Sequence, residues 1–199
     1  MGEVALFIGT FDPFHVGHIW QIERTYKHRK FDKLVIAVIK DNPRKPQAID
    51  YKHRENLVWL NVERLSFAFD IEVLILDKIG SSEIEKFVIE NIKEKNKFRT
   101  VGSDSIINII KDEERHIEEL KKFHYVIGVR DLWNLNQLQG YISNLSPEIK
   151  ANFSYDILHS GFKNHLTATS IRNNLEDSVV KGLITKEQLS YIIKNKLYK

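Results

Sequence analysis

The chain has 199 residues, 42% hydrophobic and 29% charged, with no cysteine and a formal net charge of +3. That balance excludes wholesale disorder and a disulfide scaffold, and the length suffices to bury one core. The mild positive charge suits an anionic small molecule and falls short of a duplex-binding footprint. No apolar run approaches the roughly 20 residues that span a bilayer, so the expectation is a cytoplasmic protein with no nucleic-acid or membrane partner.

Val4 to Ile8 is a continuous apolar run that suits a buried strand, and Ile19, Ile22 and Tyr26 recur at helical spacing. Between them stands Gly9-Thr10-Phe11-Asp12-Pro13-Phe14-His15-Val16-Gly17-His18. Asp12-Pro13 is a turn signal, and Gly9 and Gly17 let backbone come close to a bound group. Two imidazoles three residues apart fall at a helix N-terminus, where N–H groups and the dipole favour an anion. A strand, a tight loop and a helix start of this composition describe a phosphate site. Half of a metal site and a plain strand-to-helix connection are the alternatives these residues leave open.

Downstream, Lys33 to Lys40 reads as a strand apolar on both faces, which points to a parallel sheet. Asn42-Pro43-Arg44-Lys45 lies in a loop, and a helix runs from near Asp50 through Leu57, Val58, Val62 and Leu65. Phe69 to Ile79 is a third strand. Ser82 and Glu85 form a capping-box candidate for the next helix. Phe98 to Gly102 is a fourth strand, with Ser103-Asp104-Ser105 capping the helix after it. That helix is interrupted or continued through the charged run Lys111 to Arg115. His124 to Val129 is a fifth strand, Leu132 to Leu145 a helix broken by Ser146-Pro147, and Phe153 to Leu158 a sixth strand. Two helices close the chain, one from near Thr169 to Gly182 and one opened by a Thr185/Gln188 capping box and buried through Leu189, Ile192, Ile193 and Leu197.

This alternation predicts one α/β domain over 1–199, a Rossmann-like doubly wound parallel sheet with helices on both faces. Its core is 1–165 and its C-terminal motif and helices are 166–199. Ligands of such sheets bind beyond the carboxyl ends of the strands. Leu166-Thr167-Ala168-Thr169-Ser170-Ile171-Arg172 lies just past the sixth strand. Its hydroxyls can cap N–H groups or hold phosphate oxygens, and Arg172 can fork onto a phosphate.

The first stretch resembles the signature of nucleotidyltransferases that share a His-x-Gly-His loop, and Thr167 to Arg172 is similar to the Ser-Ser-Thr-x-Ile-Arg motif of bacterial-type adenylyltransferases, with Ala168 in place of a serine. Gly102-Ser103-Asp104-Ser105 and Arg130 after the fifth strand resemble nicotinate and nicotinamide mononucleotide adenylyltransferases. The chain is identified as similar to the bacterial-type nicotinate-nucleotide enzymes.

That resemblance implies adenylyl transfer from ATP to nicotinate or nicotinamide mononucleotide in NAD biosynthesis. It implies His15, His18 and Arg172 as catalytic residues, with Gly9, Thr10, Phe11, Gly17, Lys45, Thr167 and Thr169 at the phosphates of ATP. Gly102, Asp104 and Arg130 would form the nucleotide pockets. Mg²⁺ would be carried on the phosphates with no protein metal site, the partners would be the two nucleotides, and a homo-oligomer is left open. Asn42-Pro43-Arg44-Lys45, with Arg54 beyond it, looks more like phosphopantetheine adenylyltransferase, and a tryptophan common after Gly-x-Asp-Ser is missing. Trp133, just after the fifth strand, could substitute for it or be an ordinary core or surface tryptophan, and Arg54 could join the site residues or be only part of a solvated helix face. A phosphopantetheine or other small-acceptor transferase and a non-catalytic nucleotide-binding module are the remaining alternatives.

Overall fold

Strands form where the chain runs apolar without alternation, because both faces of the sheet are covered. The computed structural model describes residues 2–63, 67–129, 131–159 and 167–198. Six parallel strands, β1 (Glu3–Gly9), β2 (Lys33–Asp41), β3 (Asp70–Lys78), β4 (Asn96–Gly102), β5 (His124–Val129) and β6 (Ser154–His159), lie in the order β3-β2-β1-β4-β5-β6. The connections hold α1 (Val16–His28), α2 (Tyr51–Val62), α3 (Ser81–Asn91), α4 (Ser103–Ile110), α5 (Glu113–Lys122), α6 (Leu132–Ser143) and α7 (Pro147–Lys150). The chain closes with α8 (Ala168–Asn173), α9 (Leu175–Val180) and α10 (Lys186–Lys194).

Alternate residues of one strand feed two cores. Val4, Leu6 and Ile8 of β1 join Val35, Ala37 and Ile39 of β2 under α3 to α6, whereas Ala5 and Phe7 join Leu34, Ile36 and Val38 under α1 and α2. The strand order reverses between β1 and β4, the switch point at which a doubly wound sheet opens a crevice beyond its carboxyl edge. Among the described residues no helix is long and apolar enough to cross a membrane.

The helix starts differ from expectation where glycine supplants a side-chain cap. Gly80, at φ 156°, opens α3 without a capping hydrogen bond, so the Ser82/Glu85 box does not form, and Ser82 Oγ donates instead to Glu83 Oε2 (2.8 Å). Gly102 likewise opens α4, and Ser103, Asp104 and Ser105 are helical rather than capping. The helix expected from Thr169 to Gly182 is two short ones, because Asn174 at φ −145°, ψ 59° leaves the helical region. Ile193 is 60% exposed, on the outer face of α10.

The Thr185/Gln188 capping box is present, and its glutamine does more than cap. The Gln188 amide is fully buried. It donates to Phe14 O (2.8 Å) and Leu57 O (2.9 Å) and accepts from Thr185 N (3.0 Å) and Asn61 Nδ2 (3.1 Å). With Val16 N donating to Leu183 O (2.9 Å), these bonds dock the C-terminal helices on the first loop and on α2. Satisfying a buried amide at all these positions fixes one docking geometry.

Beneath β4 and β5 lies a buried polar cluster. Arg99 is ion-paired with Glu119, His116 Nδ1 lies 2.8 Å from Glu119 Oε2, and the Tyr125 hydroxyl donates to Glu119 O (3.2 Å). All four residues are at most 3% exposed, so their charges are satisfied by one another or not at all.

Candidate active site

Phe11 sets the loop between β1 and α1. It is a non-glycine residue at φ 52°, a conformation that costs about 1–2 kcal/mol and persists where surrounding packing imposes it. The turn folds the Phe11 ring back over Gly9, where an added Cβ would stand 2.6 Å from the ring. Gly9 therefore admits a side chain of the protein's own. Phe11 (5.1 Å, edge-on), Phe14 (4.9 Å, stacked) and Phe7 (5.9 Å) surround the His18 ring.

Both imidazoles are held by backbone through the same atom. His15 is the N-cap of α1, its Nδ1 accepting from Gly17 N (3.1 Å), and His18 Nδ1 accepts from His15 N (3.0 Å), which completes a capping box. A ring that accepts at Nδ1 carries its proton on Nε2, so each histidine is fixed as an Nε2–H donor. The two ring centroids lie 3.9 Å apart with their planes tilted by 32°.

Arg172 reaches this loop from α8. Its Nη1 donates to Asp12 O (2.6 Å) and lies 3.4 Å from Asp12 Oδ2, and its Nη2 donates to Thr169 Oγ1 (3.1 Å). Thr167 Oγ1 accepts from Ser170 N (3.0 Å), so the motif's first hydroxyl caps α8. Thr10, nearly buried, accepts from Asn42 Nδ2 (2.6 Å), which ties the loop after β2 to the first loop. The Lys45 ammonium pKa is lowered, first by desolvation and then by Arg172 and Arg54, against the pull of Asp12 and Asp104.

These groups line one cleft of about 370 Å³ at the carboxyl edge of β1 and β4. Gly9, Thr10, Phe11, His15, Gly17, His18, Lys45, Gly102, Asp104, Thr167, Thr169 and Arg172 all contribute to its wall. Arg130 and Leu166 lie outside the described residues. At Gly102 an added Cβ would meet nothing within 4 Å, so glycine there leaves open space in the cleft.

Two expectations are corrected. Arg54 is 2% exposed and not on a solvated face: its guanidinium donates to Ile49 O (2.7 Å), Thr10 O (2.7 Å), Ile39 O (2.7 Å) and Lys40 O (2.9 Å). Five donors in a rigid fork suit it to collect carbonyls from two strand ends and a loop, which makes it a clamp under the site. Trp133 is 68% exposed and lines no described cleft, as a surface tryptophan would.

Motif spacing does not single out Gln21 and Gly128, which meet at the cleft wall. Gln21 Nε2 donates to Thr100 Oγ1 (2.8 Å), and its Oε1 fills the place of a Gly128 Cβ, which would lie 1.7 Å away. The signal is a glycine inside an apolar strand, which marks close approach of another group. Nor does spacing single out Tyr198, or make Asp12 more than a turn residue.

A second cleft, of about 540 Å³, opens at the ends of β2 and β3 and shares Lys45 with the first. Lys40, Lys45, Arg54, Lys78 and Arg115 line it against only Asp41 and Asp50, and Tyr51 is the one aromatic residue among its described lining. Two clefts thus meet at one lysine.

Residues 6–174 match the cytidylyltransferase-like family model. The chain belongs to that family. A probable nicotinate-nucleotide adenylyltransferase of Clostridium perfringens is 28% identical over 207 residues, covering 100% of this chain and 99% of that protein. One of Dictyoglomus thermophilum is 25% identical over 206 residues, covering 98% and 99%. Among solved structures, Plasmodium falciparum nicotinic acid mononucleotide adenylyltransferase complexed with NaAD has the same fold at a TM-score of 0.71 and 16% identity, covering 100% of this chain and 98% of that one. Within this cytidylyltransferase-like family member, the doubly wound fold read from the sequence stands.

Proposed function

We propose that the chain transfers the adenylyl group of ATP to the phosphate of nicotinate mononucleotide, giving the dinucleotide and pyrophosphate. The observation that carries this is the meeting of two clefts at Lys45, one lined by His15, His18, Thr169 and Arg172 and the other strongly cationic. The names of the curated relatives support the same reaction.

An acceptor phosphate oxygen attacks the α-phosphorus of ATP, the bond to the bridging oxygen of the β-phosphate breaks, and pyrophosphate leaves with that electron pair. The attacking oxygen is already an anion, so no general base is needed, and positioning with charge stabilisation supplies the rate. The Nε2–H groups of His15 and His18 donate to the phosphates where charge grows. Arg172 and Lys45 balance the triphosphate and the leaving group. Asp104 and Gly102 line the nucleoside end, with Arg130 proposed beside them. Mg²⁺ would accompany ATP as part of the substrate and would supply charge neutralisation at the triphosphate. Asp104, an oxygen donor on the cleft wall, is of the kind that would hold one of its waters.

The second cleft takes the acceptor. Lys40, Lys45, Lys78 and Arg115 against Asp41 and Asp50 favour a ligand with both a phosphate and a carboxylate, hence nicotinate over nicotinamide, and Tyr51 offers an aromatic face for the ring. Asn42, the residue that suggested phosphopantetheine, is engaged with Thr10. The test is kcat/KM for pyrophosphate release from ATP and Mg²⁺ with nicotinate mononucleotide, nicotinamide mononucleotide and phosphopantetheine in turn, since that ratio reports discrimination. Nicotinate mononucleotide is expected to lead nicotinamide mononucleotide by roughly tenfold or more, for the charged carboxylate it adds. A higher value for phosphopantetheine would overturn the acceptor class.

A further inference from the structure

Tyr198, just beyond α10, touches the loop that carries His15 and His18. The Tyr198 hydroxyl donates to Asp12 Oδ1 (2.8 Å), and its ring lies 6.0 Å from the Arg172 guanidinium. Asp12 is 5% exposed, so its carboxylate has few donors to choose from. Arg172 is held chiefly by the backbone carbonyl of Asp12, at 2.6 Å, and only loosely by the carboxylate, at 3.4 Å.

We propose that Tyr198 is a positioning residue: by occupying one oxygen of Asp12 it keeps that carboxylate from closing a two-pronged ion pair on Arg172. A carboxylate facing a guanidinium prefers the parallel fork, which would use the same N–H groups that Arg172 needs for phosphate. Held by the phenol at Oδ1, the carboxylate is turned so that only Oδ2 faces Arg172, at 3.4 Å, and the fork does not close. Arg172 then rests on a carbonyl and on Thr169, its charge left for the cleft.

The phenol is suited to the task. Burial, and then the neighbouring Asp12 charge, push its pKa upward, so it remains a donor throughout the working range. It is also anchored independently of Asp12, since Tyr198 and Leu197 pack against the cluster of Leu57, Ile171, Ile184 and Ile192.

This inference rests on Arg172 binding the phosphates of ATP, and not on which acceptor is used. The test is therefore ATP·Mg²⁺ affinity by calorimetry, without acceptor, for wild type, Tyr198→Phe, Asp12→Asn and the double variant. Tyr198→Phe keeps the packed ring, and is expected to weaken ATP binding about five- to tenfold while melting within a few degrees of wild type. In the Asp12→Asn background, where no ion pair can form, the same change should cost less than twofold. An equal loss in both backgrounds would mark Tyr198 as merely structural, and no loss in wild type would dismiss it; either overturns the proposal. Should Tyr198→Phe unfold, 4-fluorophenylalanine at position 198, which fills the phenol's place without a donor, must show the same five- to tenfold loss of ATP affinity, and a loss below twofold overturns the proposal. Failure of every acceptor to release pyrophosphate would instead refute the proposed reaction and leave the ATP comparison standing.

Discussion

His18→Ala is expected to lower kcat roughly 10²–10³-fold, the loss seen when one preorganised donor to a developing oxyanion is removed. The expectation rests on the geometry of the ring. Its Nδ1 is fixed by His15 N–H and its face is stacked on Phe14, so the Nε2–H is aimed without cost at the moment of reaction. Removing the ring also removes a helix-capping acceptor, which would lower stability by about 1 kcal/mol. His18→Asn separates the two effects, because its amide oxygen can replace Nδ1 while nothing replaces Nε2–H. Asparagine should restore the melting temperature and leave kcat low. Wild-type turnover in either folded variant would show that this imidazole serves only the fold.

Glu119→Ala is expected to destabilise the fold by about 3–5 kcal/mol, the penalty for leaving a buried partner charged and alone. Arg99 is 3% exposed and would lose its counter-ion, so for a chain of this size the melting point should drop on the order of 10 °C. An Arg99→Met, Glu119→Leu double variant should regain most of it, since the pair is replaced rather than broken. A loss below about 1 kcal/mol in the single variant would show that water reaches the cluster. The same cluster sets a pH window. Burial, and then the Arg99 charge, push the His116 pKa down to about 4 from 6.5. Between those values the unfolded chain binds a proton that the folded one excludes, so stability is full above 6.5 and falls toward pH 4, by roughly 2–3 kcal/mol. In His116→Gln that part of the decline should vanish.

The sheet is legible in the sequence because β1, β2 and β5 are apolar on both faces and each is followed by helical spacing. The two stretches that meet in the cleft are legible because each keeps its polar groups close in sequence: His15 with His18, and Thr169 with Arg172. What sequence spacing conceals is which partner a long polar side chain finds. Arg54 beside Lys52 and Glu55 reads as surface, yet four carbonyls from distant segments bury it. Tyr198 lies 186 residues from Asp12, and only the docking of α10 through Gln188 brings them together. The helix starts at Gly80 and Gly102 mislead for a local reason, since a serine near a helix start looks like a cap whether or not a glycine has already turned the chain.

Label carried at either the α- or the γ-phosphate of ATP, followed in the presence of nicotinate mononucleotide and Mg²⁺, shows whether the α-phosphorus is the atom attacked. All α-label is expected in the dinucleotide, all γ-label in pyrophosphate, and the two products in equal amounts. Label from the γ-position in the acceptor product, or α-label remaining in ADP, would contradict attack at the α-phosphorus.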